Sequence, residues 1–555
     1  MEESIAEKMA KEMREVSVAE FFEKNRHLLG YENPTKSLIT VVKEALDNAL
    51  DATNEANILP EIYVSVKQVG IDRFKVIVED NGPGVVESKV PYAFGKFLYG
   101  SKFHRLRQSR GVQGLGIHGA ILYSQLTTGK PTKIITSTGK DITIFELMID
   151  VAKNEPHIIS FKKEKNSKKW HGVRIEMEIE GRYTEKPPSV LEYIKQTAIV
   201  NPYARIIFDG PNGKIEFERT INEIPAQPKE IKPHPYGVEL GILRRMLKDT
   251  KAKNMLSFLT TEFCRVGKNS AEQICKLAKI ELNRKPQDLT PEESEKLHKA
   301  MQMVKLMSPP TNCLSPLTEK LIEEGLKKEI EAEYYVAVSR PPTVYRGYPF
   351  LVECGLAYGG KLQENETAKI LRFANKVPLL YHQGDCAITE AIAEVDWRRY
   401  GLQQSAGSLP VGPLAILVHF ASVWVPFTSE GKQAIANYPE IVKEIKLALQ
   451  DAGRKLASYI RQKRKARERL LRRQIFERYV PEVARAVAKL TNKDYKTILK
   501  KLEEMIKKKV DLTIEEMESK AEEEIEKEKQ EEKIKKVKQT TLKEVVGNER
   551  NEEKT

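Results

Sequence analysis

A chain of 555 residues exceeds what one hydrophobic core serves, and predicts about three or four domains. Its 40% hydrophobic and 31% charged residues give a globular balance, and a formal net charge of +13 favours a polyanionic partner, nucleic acid before membrane surface. The five scattered cysteines (Cys264, Cys275, Cys313, Cys354, Cys386) suggest neither a zinc site nor a disulfide framework; with no signal-peptide core and no long apolar run, they predict a soluble, cytoplasmic protein and no membrane partner.

Residues 1–16 read as an N-terminal arm, and 17–30 as a short helix with a serine cap that leads through Asn33-Pro34 into a second helix at 38–52. On that helix Leu38, Val41, Val42, Ala45, Leu46, Ala49 and Leu50 fall on one face at the helical period. Glu44, Asp47, Asn48 and Asp51 fall on the other. Strand-like runs at 62–69, 74–78, 133–137, 142–149 and 173–179, with helices between, predict an α/β sandwich over 17–228. The proline-rich stretch 224–235 reads as a linker. A helical block over 229–310 follows, with Thr290-Pro291-Glu292-Glu293 as a helix start and Pro309-Pro310 as its end. Residues 311–470 alternate again, with strands near 334–339, 350–358, 368–374 and 414–423 and helices at 388–396 and 431–448, so a second, smaller α/β domain is expected. From Ile435 a helical pattern runs on through the basic stretch 461–473, and 471–555 becomes a helical, then Glu/Lys-rich tail.

The chemistry lies near the start. A helix bearing carboxylates and an amide, then Asp80-Asn81-Gly82-Pro83-Gly84, then the glycine-rich segment 110–119, in that order, predict a nucleotide site. Hydrolysis of a nucleoside triphosphate needs a held metal, an activated water and donors around the phosphates. Glu44 can act as general base, and Asn48, one turn on, offers a neutral oxygen to Mg²⁺. Asp80 can accept a hydrogen bond from the exocyclic amine of adenine, while Gly82 and Gly84 let the backbone approach the base. Gly111, Gly114, Gly116 and Gly119 make a loop whose N–H groups, with the helix that follows, can wrap phosphates.

These motifs resemble those of the GHKL ATPases, the superfamily of gyrase B, MutL, histidine kinases and the large heat-shock chaperone. From about residue 17 to 480 the chain is similar to the B subunits of archaeal DNA topoisomerase VI. The text that carries this is PYAFGKFLYGSK from Pro91, RGVQGLGIHGA from Arg110, KPHPYGVE from Lys232, ANKVPLLY from Ala374, DWRRYG from Asp396 and PFTSEGKQAIA from Pro426. The resemblance implies an α+β multidomain chain: a Bergerat-type GHKL α/β sandwich, a helix–two-turns–helix domain, and a βαβ transducer domain ending in a long helix. It implies Glu44 as the water-activating base, Asn48 as the Mg²⁺ ligand, Asp80 as the reader of adenine, and Lys432 as a switch lysine that reaches the γ-phosphate. The ATP site would also include Ser101, Lys102, Gly111, Val112, Gln113, Gly114, Leu115, Gly116, Ile117 and His118. One departure stands out: after Trp170-His171-Gly172 the family usually has threonine and this chain has Val173, so Asp80 reads the base alone or a nearby threonine substitutes.

The same resemblance implies an ATP-operated clamp that dimerises through its ATPase domains in a heterotetramer of two B and two A subunits, the A subunit cutting duplex DNA. No two aspartates here form the D-x-D cluster that cleavage would need. DNA is expected at the turn around Arg265, at a basic loop with Lys163, Lys165, Lys168 and Lys169, and at a turn presenting Trp397, Arg398 and Tyr400. Two rival readings are a MutL-like repair ATPase, against which the helical block 229–310 argues, and a non-hydrolysing DNA-binding scaffold, against which Glu44 and Asn48 argue.

Overall fold

The computed structural model describes residues 9, 13–100, 105–111, 114–429, 431–492 and 494–505, with backbone alone at 473, 476 and 477. Most of the expected N-terminal arm lies outside the described residues, as do Ser101, Lys102, Val112, Gln113 and the tail beyond 505. The chain divides into two compact units, residues 1–457 and 458–555.

Helix α1 (Val18–Lys24) starts at Ser17, whose hydroxyl accepts from the Glu20 N–H. Helix α2 (Pro34–Glu55) starts at Asn33, whose side chain accepts from the Lys36 N–H, with Pro34 in the first turn where no N–H is needed. The strands β1 (Glu61–Gly70) and β2 (Arg73–Asp80) follow, then α3 (Val90–Gly95), α4 (Gly116–Thr128), β3 (Thr132–Thr138), β4 (Asp141–Asp150), β5 (Glu155–Lys165), β6 (His171–Glu180), α5 (Val190–Val200), β7 (Arg205–Gly210) and β8 (Gly213–Phe217). They form an eight-stranded sheet in the order β5-β4-β3-β6-β2-β1-β7-β8, antiparallel but for the β1–β7 pair. Alternation decides the faces: β2 and β6 bury every second residue, and those residues meet Leu38, Val41, Val42, Leu46 and Leu50 of α2 in one core. Each such fully buried side chain contributes about 1.5–3 kcal/mol of transfer free energy, which anchors the polar face of α2.

Four helices then pack on a core of their own: α6 (Leu240–Asp249), α7 (Met255–Glu262), α8 (Lys268–Ala278) and α9 (Pro291–Met303). Leu243, Phe258, Leu259, Ile274, Leu297 and Met301 are fully buried in it. The predicted start of α9 is a reciprocal cap between Thr290 and Glu293.

After α10 (Glu319–Glu329) come β9 (Tyr334–Ser339), β10 (Thr343–Tyr345), β11 (Tyr348–Tyr358), β12 (Lys369–Ala374), β13 (Val377–Pro378), α11 (Ala387–Glu394), β14 (Leu414–Ser422) and α12 (Pro439–Thr491). The sheet runs β10-β11-β14-β12-β13, with β9 also on β11 and a parallel β12–β14 pair that supplies the expected crossover. All nine residues of β14 are buried, the continuous apolar run of a strand covered on both faces.

Four segments differ from what their sequence suggests. The stretch 155–165 is strand β5, so Lys163 and Lys165 lie on an edge strand, and only Lys168 and Lys169 on the turn beyond; its charge hides the strand, and charge is what protects an edge. The hairpin β7–β8 is an addition to the expected strands, although Gly210-Pro211-Asn212-Gly213 is a turn signal. Residues 224–235 are no free linker: the Ile231 N–H donates to the Leu106 carbonyl at 3.0 Å and the Lys229 N–H to that of Cys313 at 3.0 Å. Helix α12 begins at Pro439, not near 431 or 435, so Lys432 sits on a turn.

Candidate functional site

The polar face of α2 is not a solvated stripe. Asp47 and Asp51 are buried, Glu44 is mostly covered, and Asn48 is exposed. Asp51 is bonded to the Arg110 guanidinium at 2.8 Å, and that group also donates to Asn201 Oδ1 at 2.6 Å. Asp47 accepts from the Tyr193 hydroxyl at 2.8 Å, and burial pushes its carboxyl up to about 6. Glu44 differs. Burial would raise it, but Lys43 at 3.0 Å, together with Lys432, more than offsets this and holds it below the usual carboxylate value.

Asp80 closes β2. Its Oδ1 accepts from the Gly82 N–H at 2.7 Å and from the Val173 N–H at 3.3 Å, leaving Oδ2 without a protein partner among the described residues. Burial pushes the carboxyl up to about 6 despite those two donors. Gly84 has φ +73, and a Cβ there would collide with the Ser137 carbonyl, so β3 and this turn meet without a side chain between them. Among the described residues no threonine hydroxyl is bonded to Asp80; the nearby Thr136 donates to the Gly172 carbonyl at 2.8 Å and accepts from the Val85 N–H at 3.0 Å.

The glycine-rich segment brings α4 against α2. A Cβ on Gly116 would collide with Glu44 Oε2, so only glycine lets the start of this helix approach the carboxylate. Among the described residues no side chain caps α4 at Leu115, which leaves first-turn N–H groups open to an anion. A Cβ on Gly111 would come 4.0 Å from Asn48 Oδ1, with nothing nearer. Gly114 turns the chain at φ +60. His118 and Ile117 face inward: burial pushes the His118 imidazole down to about 4, and its Nδ1 donates to the Gly114 carbonyl at 3.0 Å. Of these residues, then, Gly116 lies against Glu44, while the His118 side chain is buried beside Phe97.

Lys432 arrives from the second α/β region. It takes φ +53, is buried, and donates to the Arg110 carbonyl at 3.1 Å, across 322 residues of sequence. The residues before Arg110 are held from the same side. Gln108 exchanges hydrogen bonds with the Ser315 backbone at 2.7 and 3.1 Å, and Asn375 donates to the Ser109 carbonyl at 3.1 Å. Lys376, pushed down to about 7 by burial, donates to Ser315 Oγ at 2.9 Å. The sequence assigns no role to Arg110, Lys43, Gln108, Asn375 or Lys376, although Arg110 opens the glycine-rich segment and Asn375 and Lys376 lie within ANKVPLLY. A signal exists for Arg110, since a lone arginine at the mouth of a glycine loop needs a carboxylate and Asp51 has no assigned role; for the others there is none.

The surfaces expected to meet DNA divide. Trp397 does not: it is fully buried, its indole N–H donating to the Ile392 carbonyl at 2.8 Å, because an apolar ring of that size packs inward. Arg398 is exposed but paired with Asp396 at 2.8 Å, and Tyr400 packs half-buried against Gly453. Lys163 is shared between Glu87 and Asp141. Lys165, Lys168 and Lys169 are exposed, as is Arg265, whose Nε donates to the Ser308 carbonyl at 3.0 Å.

Residues 33–153 match the family described as histidine kinase-, DNA gyrase B- and HSP90-like ATPases, and residues 309–472 match the topoisomerase VI B subunit transducer. The chain is 48% identical over 501 residues to the type 2 DNA topoisomerase 6 B subunit of Methanosarcina barkeri, covering 89% of this chain and 80% of that one. It is 46% identical over 496 residues to the protein of that name from Archaeoglobus fulgidus, covering 88% and 81%. With that of Pyrococcus horikoshii the figures are 41% over 552 residues, covering 91% and 97%.

Proposed function

The chain belongs to the family of type 2 DNA topoisomerase 6 B subunits and is an ATP-hydrolysing subunit of a type II DNA topoisomerase, and we propose that Glu44, Asn48, Asp80, the backbone of 111–116 and Lys432 are the working parts of its ATP site. Glu44, held ionised, takes a proton from the attacking water through Oε2. Asp80 accepts from the adenine amine through Oδ2. The open start of α4 and the glycines before it donate N–H groups to phosphate oxygens. Lys432 leaves the Arg110 carbonyl for the γ-phosphate and returns after hydrolysis, a task suited to a point charge on a flexible stem.

Mg²⁺ fits the donor set. The Asn48 amide is exposed with no hydrogen-bond partner among the described residues, and no cluster of three or more His, Cys, Asp or Glu side chains there competes for the ion. Held by Asn48 with water and phosphate oxygens, the ion supplies charge neutralisation on the transferring phosphate.

The observation that most supports this reading is the meeting of α2, the start of α4 and the Lys432 turn around a single carboxylate. ATP closes such a gate only by binding the closed form more tightly than the open one. The assembly we propose is two of these chains joined through their ATPase regions and two DNA-cleaving A subunits, acting in the cytoplasm on duplex DNA. No helix among the described residues is long and apolar enough to cross a membrane. Relaxation of a supercoiled plasmid by this chain with an A subunit tests the proposal: it should require ATP and Mg²⁺ and stop with Lys432→Ala. Relaxation without nucleotide would refute it.

A further inference from the structure

Glu44 is held by a neighbour that helix geometry alone does not provide. Residues i and i+1 of a helix do not face each other. Yet the Lys43 ammonium curls round α2 to Glu44 Oε1 at 3.0 Å and lies 3.5 Å from the Gly431 carbonyl on the turn that carries Lys432. The two side chains are only 12% and 13% exposed. The cover comes from the second α/β region: Gly431, Lys432 and Gln433 line a small cavity of about 30 Å³ together with Lys43, Thr40 and Tyr193.

Tied at Oε1, the carboxylate turns Oε2 to the start of α4, where Gly116 leaves space for nothing but the backbone. The other charged and titratable groups around it are Asp47 on the same helix, Lys432 on its turn, Tyr31 before α2 and Tyr193 on α5. Among the described residues Lys43 is the one bonded to the carboxylate, since Lys432 gives its ammonium to Arg110. A base must be held to a fraction of an ångström, and an untethered glutamate is not.

We propose that Lys43 is a positioning residue for the hydrolytic step: it clasps Glu44 Oε1 to the Gly431 backbone, so that Oε2 is set for proton transfer only while the Lys432 turn is docked. The proposal rests on the reading of Glu44 as the base. It makes the second α/β region a condition for hydrolysis through the base as well as through the phosphate.

The test compares Lys43→Met, Lys43→Arg and Glu44→Ala in the full chain with its A subunit and duplex DNA, by steady-state ATP turnover and by binding of a non-hydrolysable ATP analogue. Loss of one charge-assisted hydrogen bond predicts a roughly 10- to 100-fold lower kcat in Lys43→Met, analogue affinity within about threefold of the parent, and recovery of most of the rate in Lys43→Arg. An unchanged or raised kcat in Lys43→Met overturns the proposal. So does an equal loss of binding and rate that arginine does not rescue, which marks a packing role. Turnover that survives in Glu44→Ala overturns the assignment of the base itself, whatever Lys43 does.

Discussion

Two buried carboxylates, one in each sheet, have opposite fates. Glu353 on β11 faces His419 on β14 in the middle of the second sheet, and both side chains are fully buried. Each oxygen of Glu353 is used: Oε2 accepts from the Leu317 N–H at 2.7 Å and from His419 at 2.9 Å, Oε1 from the Thr318 N–H at 2.8 Å and the Ser339 hydroxyl at 3.3 Å. His419 is spent as well, its Nε2 accepting from the Lys376 N–H at 3.0 Å. Burial would raise the Glu353 carboxyl, but His419 and the two backbone donors bring it below its usual value. Asp80, on the edge of the other core, has two donors on one oxygen, none on the second among the described residues, and a carboxyl raised to about 6. The capacity of Glu353 is used up within the fold, whereas Asp80 keeps an acceptor to spare for a ligand.

That contrast can be broken at several points. The largest stability effect belongs to Glu353→Ala, which orphans two backbone N–H groups and a histidine in a sheet core. It should cost about 3–5 kcal/mol, seen as a lower thermal transition, with ATP affinity below that transition unchanged. Asp80→Asn should do the reverse, with little change in melting and roughly 10- to 100-fold weaker ATP binding measured by titration calorimetry, since an amide reverses or neutralises the acceptor. The pH dependence follows the same group. Protonation would put an O–H on Oδ2, the oxygen left free for the adenine amine, and the carboxyl sits at about 6, so ATP affinity should be flat above neutrality and fall as pH drops through about 6. Asp80→Asn should abolish that limb. Smallest is the DNA term. Lys168→Ala with Lys169→Ala should reduce the salt slope of duplex binding by about 1–2, whereas Lys163→Ala, already paired with two carboxylates, should change it less.

How much of this is legible in sequence follows the same divide. The apolar face of α2, the alternation of β1 to β4 and the apolar run of β14 are periodic signals, and each is the element expected. The nucleotide motifs are legible because they are local: Asp80 with its glycines and the segment 110–119 each span no more than about a dozen residues. What joins distant segments is not. That Lys43 meets Gly431, that Asn375 meets Ser109, and that Asp51 is consumed by Arg110 depend on tertiary contact, and no spacing encodes them. Trp397 shows the opposite error, where a basic-aromatic turn resembles a nucleic-acid surface and its ring belongs to the core.

The most direct measurement is ATP turnover by Glu44→Ala beside its affinity for a non-hydrolysable ATP analogue, with the A subunit and duplex DNA present. A carboxylate placed beside the glycine start of the helix as the base should contribute to proton transfer and little to binding, so the expected result is a kcat lowered by about 10²- to 10⁴-fold with affinity kept within about threefold. Turnover within a few-fold of the parent chain would contradict the account, because the meeting of α2, α4 and the Lys432 turn would then surround a carboxylate that does no chemistry.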